Sequence, residues 1–477
     1  METLNVESGI KDMKINEPIQ RLRGIHRKEP KFDRVDSNFW SKQYYYLFCI
    51  AIGNGVDGLP GAFRFAMDLS GAFFVLQLIF FTFLLNMPIV YMEIFLGKYT
   101  RLTNCQMYKM APLFFGYCVL LILFNIVSSP MRVTDISLFI ISALQLIINP
   151  NYLYVCPHDS NTCLDYEVEG NIGENRTCSY NYMSFKCDNI EYRYVSAYLY
   201  WNNFRNFDDP STYALWQCVI AAVITWMFIT FLCLAGMKVI GILLKITFVV
   251  NFVIMTILLI MALPTHGSMR GLMNLIEFRV QSLHLNEVLM GIFLSSMKLG
   301  LTYPIGYMTY AAYTDKNTNV GPATEAVFLN IFNVLLTIYY LVVLHAIAGV
   351  LSFAIGVNIE HVMVPFAGVY CAMIPEFLRF RDTPIIFIII YHLSNWTLEM
   401  VKIAVIMYMQ ILNLYDFFPG ISKYQTYVFL AAGAISLIIS IFCSLRIFSI
   451  IIFPLLWYCE INFLFAIRLL GEVICLC

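Results

Sequence analysis

The sequence predicts an all-α polytopic membrane protein of about ten spans, folded as an inverted five-plus-five helix repeat whose first and sixth spans are broken. Three observations predict it. Of the 477 residues, 60% are hydrophobic and 13% charged, whereas soluble globular chains run at roughly 45–50% and about 25%. Apolar runs long enough to cross a bilayer, about 20 residues each, recur along the whole chain. Two of those runs, five apart in order, are interrupted by glycine and proline. Lys and Arg number 30 against 31 Asp and Glu, so no basic excess calls for a polyanionic partner. The same composition excludes disorder, nucleic-acid binding and ordinary cytosolic catalysis.

Residues 1–39 have no apolar run and mix eight Lys/Arg with seven Asp/Glu, which reads as a cytosolic tail rather than a signal peptide. The membrane-spanning body is expected over 40–470, with spans near 44–67, 72–97, 114–148, 213–235, 239–263, 287–313, 323–354, 384–415, 424–446 and 448–470, and a short tail at 471–477. The second-to-third connection carries Lys98, Arg101 and Lys109 with no acid and is therefore cytoplasmic. Ten spans then put both termini in the cytoplasm, and the segment 149–210 outside the plasma membrane. That segment carries the sequon at Asn175 and four cysteines, Cys156, Cys163, Cys178 and Cys187, which can oxidise in that compartment. Four cysteines allow three connectivities. A second sequon at Asn395 falls inside an apolar span, out of reach of glycosylation. The other ten cysteines read as small apolar fillers. His345 and His392 read as core histidines with their hydrogen bonds satisfied, because no carboxylate or nucleophile motif accompanies either.

The break in the first span is Gly53-Asn54-Gly55-Val56-Asp57-Gly58-Leu59-Pro60-Gly61. The sixth span is interrupted at Lys298-Leu299-Gly300 and Pro304-Ile305-Gly306. Half-helices that meet inside a membrane leave carbonyls and amides unpaired, which is tolerable where they line a cavity or an ion. With Trp40, Phe63-Arg64-Phe65, Gly71-Ala72-Phe73 and above all the stretch Pro88-Ile89-Val90-Tyr91-Met92-Glu93-Ile94-Phe95-Leu96-Gly97-Lys98-Tyr99-Thr100, the chain resembles the neurotransmitter:sodium symporter family. Pro112, Gly116, Gly236-Met237-Lys238, Leu263-Pro264, Ala311-Ala312-Tyr313 and Asp416-Phe417-Phe418-Pro419 extend the resemblance from Trp40 to Pro419. Family members usually have twelve spans, so spans eleven and twelve are expected to be missing.

The resemblance implies a substrate pocket from Gly55, Val56, Asp57 and Gly58 in the first span, Arg132 in the third, and Ser295 and Lys298 in the sixth. Gly58 stands where amino-acid transporters of the family carry glycine and amine transporters carry aspartate; a slip of one residue would give Asp57 that second role. For the first sodium site or the chloride site, Val56, Ser295, Asn333 and Thr337 match, but Gly61 replaces an asparagine and Gln77 or Leu78 replaces a tyrosine. Sodium is the ion the family would supply; its coupling here is in question, and chloride more so. An alternative role for Asn333 is a helix-to-helix hydrogen bond. Arg132 either touches the solute or pairs with Asp135 one turn along. Arg64 would close an outer gate, with Glu460 as the acid within reach.

At the second sodium site the resemblance puts Asn54, Asp57 and Leu398 on backbone-carbonyl positions, and Val401 and Lys402 on the side-chain positions. Valine has no oxygen, and an ammonium repels sodium. Lys402 is therefore expected to take the place of that sodium, with Asp57 as counter-charge. The competing expectation is a lysine reaching along its span to the headgroups, with Glu399 equally interfacial. The family also pairs two cysteines in the outer loop, which implies Cys156 with Cys163 here.

Enzymatic chemistry and a cofactor are not expected. The function implied is secondary transport of a small amino-acid-like solute by alternating access. Two alternatives stay open: a monoamine as the solute, and a transport-inactive homologue that binds a partner or senses. Oligomeric state is not legible.

Overall fold

A computed structural model describes residues 41–53, 59–69, 71–103, 106, 115–149, 216–278, 306–314, 321–355, 359–362 and 368–443, and four short strands between 163 and 195. Its helices follow the expected spans. The first span is two helices, α1 (Lys42–Gly53) and α2 (Leu59–Leu69). The second is α3 (Gly71–Thr100), which carries a π-turn at Thr82–Asn86. The third is α4 (Phe115–Ile148), with Pro130 inside it. After the loop come α5 (Trp216–Ala235), α6 (Met237–Ala262) and the short α7 (Ser268–Ile276). The described end of the sixth span is α8 (Gly306–Ala312). The seventh is α9 (Pro322–Ile355), followed by α10 (Ile359–Val362), a π-turn at Val369–Met373 and α11 (Ile374–Phe380). The eighth and ninth are α12 (Ile385–Phe417) and α13 (Gln425–Cys443), joined by a turn of 3₁₀ helix at Pro419–Tyr424.

Seven described helices are long and apolar enough to cross a membrane. They are spans two to five and seven to nine of the ten expected. The first span is split into two short helices, the sixth is described only at its end, and the tenth, with both chain ends, lies outside the described residues. One element was not foreseen: the segment 149–210 contributes a four-stranded sheet to an otherwise helical chain. Strands β1 (Cys163–Leu164), β2 (Cys178–Asn181), β3 (Ser184–Cys187) and β4 (Arg193–Val195) lie in the order β1-β4-β3-β2. The antiparallel register of β2 and β3 sets Cys178 opposite Cys187, while Cys163 faces Tyr194 across a parallel pair. Cys156 and Asn175 lie outside the described residues.

The helix packing is that of a repeat. α4 runs along α12, α5 along α13 and α3 along α9. These are spans three with eight, four with nine and two with seven, the partners that a two-fold relation between halves of five brings together. Polar side chains pin these contacts. Asn86 donates to the Asn330 side chain at 3.2 Å between α3 and α9. Trp226 Nε1 donates to Ser440 Oγ at 2.7 Å, and Ser440 donates onward to the Pro130 carbonyl at 3.0 Å, which links α5, α13 and α4. Between α7 and α9 the helices approach so closely that a Cβ on Gly271 would overlap the His345 carbonyl, and one on Gly349 would meet the Gly267 carbonyl. Small residues let transmembrane backbones touch in this way.

Lipid-facing residues such as Leu76, Phe228, Phe231, Ile260 and Ile386 stay exposed. In a bilayer that surface meets hydrocarbon rather than water.

Candidate functional site

The first and sixth spans are held by charged and polar side chains buried between helices. Glu93, about two turns before the end of α3, is fully buried, and its Oε2 accepts a hydrogen bond from the Tyr307 backbone N–H at 2.7 Å. That N–H lies in the first described turn of α8, so the carboxylate ties α3 directly to the α8 backbone. A Cβ on Gly97, one turn on from Glu93 along α3, would overlap the Met308 carbonyl. The glycine thus lets α3 lie against α8 closely enough for the carboxylate to reach. The Tyr307 side chain is fully buried close to Asn333 on α9.

The far end of the same helices is tied by a second network. Lys98 pairs with the buried Glu325 at the start of α9, and Tyr46 of α1 lies close to Glu325 as well. Arg101, in left-handed backbone conformation just past α3, donates to the carbonyls of Ala312 at 3.2 Å and Thr314 at 2.7 Å. A cation at the C-terminal end of α8 complements its dipole. Spans one, two, six and seven therefore meet at one end of the bundle through charges rather than through apolar packing alone.

The third cluster lies between α1 and α12. Asn395, Glu399 and Lys402 follow at i, i+4 and i+7, one face of a helix, and all three are buried. Lys402 Nζ donates to Glu399 Oε1 at 2.5 Å and lies 3.4 Å from the Ala51 carbonyl oxygen in the last turn of α1. Asn251 of α6 donates to the Asn395 side chain at 3.0 Å, and the Tyr340 hydroxyl of α9 reaches Asn251 at 3.4 Å. This polar seam joins spans one, five, seven and eight. It excludes the expectation that Lys402 and Glu399 are interfacial: both lie at 5% exposure or less. The counter-charge seen on Lys402 is Glu399. Asp57, expected in that role, lies outside the described residues.

Of the other expected site residues, Leu398 and Val401 are buried on α12 beside Lys402. Asn333 and Thr337 are buried on α9, where the Thr337 hydroxyl donates to the Asn333 carbonyl at 2.7 Å within its own helix. Arg132 and Asp135 are half-buried on α4, and both take part in polar interactions. Arg64 is exposed on α2. Asn54, Gly55, Val56, Asp57, Gly58, Ser295, Lys298 and Glu460 fall outside the described residues.

His345 has Nδ1 at 2.8 Å from the Leu341 carbonyl and packs edge-on against Phe63, while its buried Nε2 has no hydrogen-bond partner among the described residues. His392 is fully buried between Phe139 and Tyr391, and neither ring nitrogen has a partner among the described residues, so the expectation of satisfied hydrogen bonds holds for one nitrogen of His345 and fails for His392. Asn395, the second sequon, is buried in α12 as expected. Cys49, Cys233, Cys371 and Cys443 are buried and Cys218 is half-buried. Glu93, Glu325, Arg101 and Glu399 were not among the expected site residues. The signal for the acids was available, because an ionisable residue inside a span needs a partner by default.

Seven long apolar helices packed three with eight, four with nine and two with seven, with buried charges between them, define a multi-pass membrane protein built on a repeat. The model of the sodium:neurotransmitter symporter family matches residues 37–476, and the chain belongs to that family, whose members are transporters and not enzymes. The match continues past Pro419, where the quoted motifs stop. A comparison with curated proteins finds no match. Among solved structures the chain is similar to the crystal structure of MhsT in complex with L-phenylalanine, at 15% identity and a TM-score of 0.63, covering 92% of this chain and 88% of that one. At that identity the likeness speaks for the fold alone.

Proposed function

We propose that the chain moves a small amino-acid-like solute across the plasma membrane by alternating access, without the second sodium ion typical of its family. The observation that carries this reading is the clamping of the first and sixth spans: Glu93 on the first described turn of α8, and Lys402 on the last turn of α1. Buried charges at helix ends inside a membrane are expensive, and they point to a working cavity rather than to a passive scaffold. Gly58 favours a solute carboxylate over an amine, and the similar MhsT structure holds an amino acid. In this reading Arg132 faces the cavity, Arg64 and Glu460 close it from outside, and Val56, Ser295, Asn333 and Thr337 keep a weakened ion site.

Uptake of a radiolabelled panel of amino acids and monoamines into injected oocytes tests the reading. Saturable uptake of at least one amino acid above water-injected cells is expected. Uptake of monoamines alone would move the binding role to Asp57. Surface-expressed protein that takes up nothing would favour the transport-inactive alternative.

A further inference from the structure

We infer that Lys402 is a tethered cation: its ammonium fills the cation position between the broken first span and α12, with Glu399 as a counter-charge carried on the same helix. The last turn of α1 presents carbonyls that the helix itself leaves unpaired, and its dipole places partial negative charge there. A cation is what such an end calls for. The structure supplies one from the protein, with Lys402 Nζ 3.4 Å from the Ala51 oxygen and 2.5 Å from Glu399 Oε1.

Three features make this a built position rather than a chance approach. Both charged groups are buried, Lys402 at 4% and Glu399 at 5% exposure, so neither is solvated from outside the bundle. They sit one turn apart on α12, so the pair forms without movement of another helix. The seam through Asn395, Asn251 and Tyr340 continues the polar stripe across α6 and α9, which fixes the face of α12 turned toward α1. An ammonium has three donors and no acceptor, so it can bond two acceptors on different helices and hold them together. A sodium ion would need the same acceptors. With the ammonium present it would face a like charge at short range.

What the tether does for solute movement rests on the transport reading above; the tether itself is testable without a solute. The experiment is thermal unfolding of the purified full-length chain in detergent, in sodium chloride and in N-methyl-glucamine chloride at equal ionic strength, for wild type and Lys402→Ala. Removing the ammonium leaves the Glu399 carboxylate and the Ala51 carbonyl facing a vacated space. Lys402→Ala is expected to unfold several degrees below wild type in N-methyl-glucamine, and to recover saturably with sodium by a margin that wild type does not show. A sodium response equal to that of wild type, or an unchanged midpoint in N-methyl-glucamine, overturns the inference. Recovery of folded Lys402→Ala only when sodium is present during purification counts as the expected result. If neither cation yields folded variant, Glu399→Gln combined with Lys402→Met, which removes both charges, must restore folded protein indifferent to sodium; its failure overturns the pairing. Wild type that shows the expected pattern and transports nothing would sink the transport reading and leave the tether standing.

Discussion

Gly271 shows how much a single residue can decide here. A methyl group at this position would collide with the His345 carbonyl, so α7 would have to lift from α9. Overpacking of this kind costs about 1–3 kcal/mol. Gly271→Ala should therefore lower the unfolding midpoint of the purified protein, while Gly61→Ala, where added atoms meet nothing, should leave packing unaffected. The Lys98–Glu325 pair makes a sharper case. Removing one partner of a buried ion pair costs about 3–5 kcal/mol because the other charge is stranded. Glu325→Ala should show that loss in a thermal melt, and Lys98→Met combined with Glu325→Leu should regain most of it. Some of this was legible beforehand. Lys402 announced itself because an ammonium in an apolar run must find a partner. The spacing also puts Glu399 one turn from it on the same helix face, and that acid is the partner among the described residues; Asp57, the expected counter-charge, lies outside them. Glu93 was legible as a motif and silent as a group: nothing local says that its acceptor role is served on α8, 214 residues on.

At the scale of elements, spans are the most readable feature, because about 20 apolar residues leave the chain no other stable option in lipid. The expected α5, α6, α9 and α12 differ from those observed by three residues or fewer at either end. The outer loop was least readable as structure. Its four strands are two to four residues long, too short for alternation to register, and the sheet mixes parallel with antiparallel pairing. The resemblance implies a Cys156–Cys163 disulfide, and the strand register places Cys178 across from Cys187, so both pairs fit one of the three connectivities. Peptide mapping of the unreduced, deglycosylated protein identifies which cysteines are linked. We expect a linked pair within this loop and sugar on Asn175; four free thiols, or no shift on glycosidase treatment, would contradict the external placement. The contact of Glu93 with α8 makes a further element-level prediction. Glu93→Gln keeps the shape but removes the charge facing the α8 amides, and a hydrogen bond to a charged group is worth about 1.5–3 kcal/mol. The unfolding midpoint should fall accordingly, and solute uptake with it.

Across the whole molecule, the pairing of span three with eight, four with nine and two with seven follows from the repeat, and the repeat was readable from two breaks set five spans apart. Substrate choice is a different matter. It depends on a handful of side chains from separate helices, and one sequence cannot say which of them face the same cavity. The proposal that this chain works as a transporter with its own cation in the place of the second sodium is tested by uptake of radiolabelled amino acids into proteoliposomes carrying the purified chain, over a range of external sodium balanced with N-methyl-glucamine. Saturable uptake of at least one amino acid is expected, with a sodium dependence no steeper than one ion; a dependence steeper than one ion, or no uptake by folded protein, would contradict the proposal.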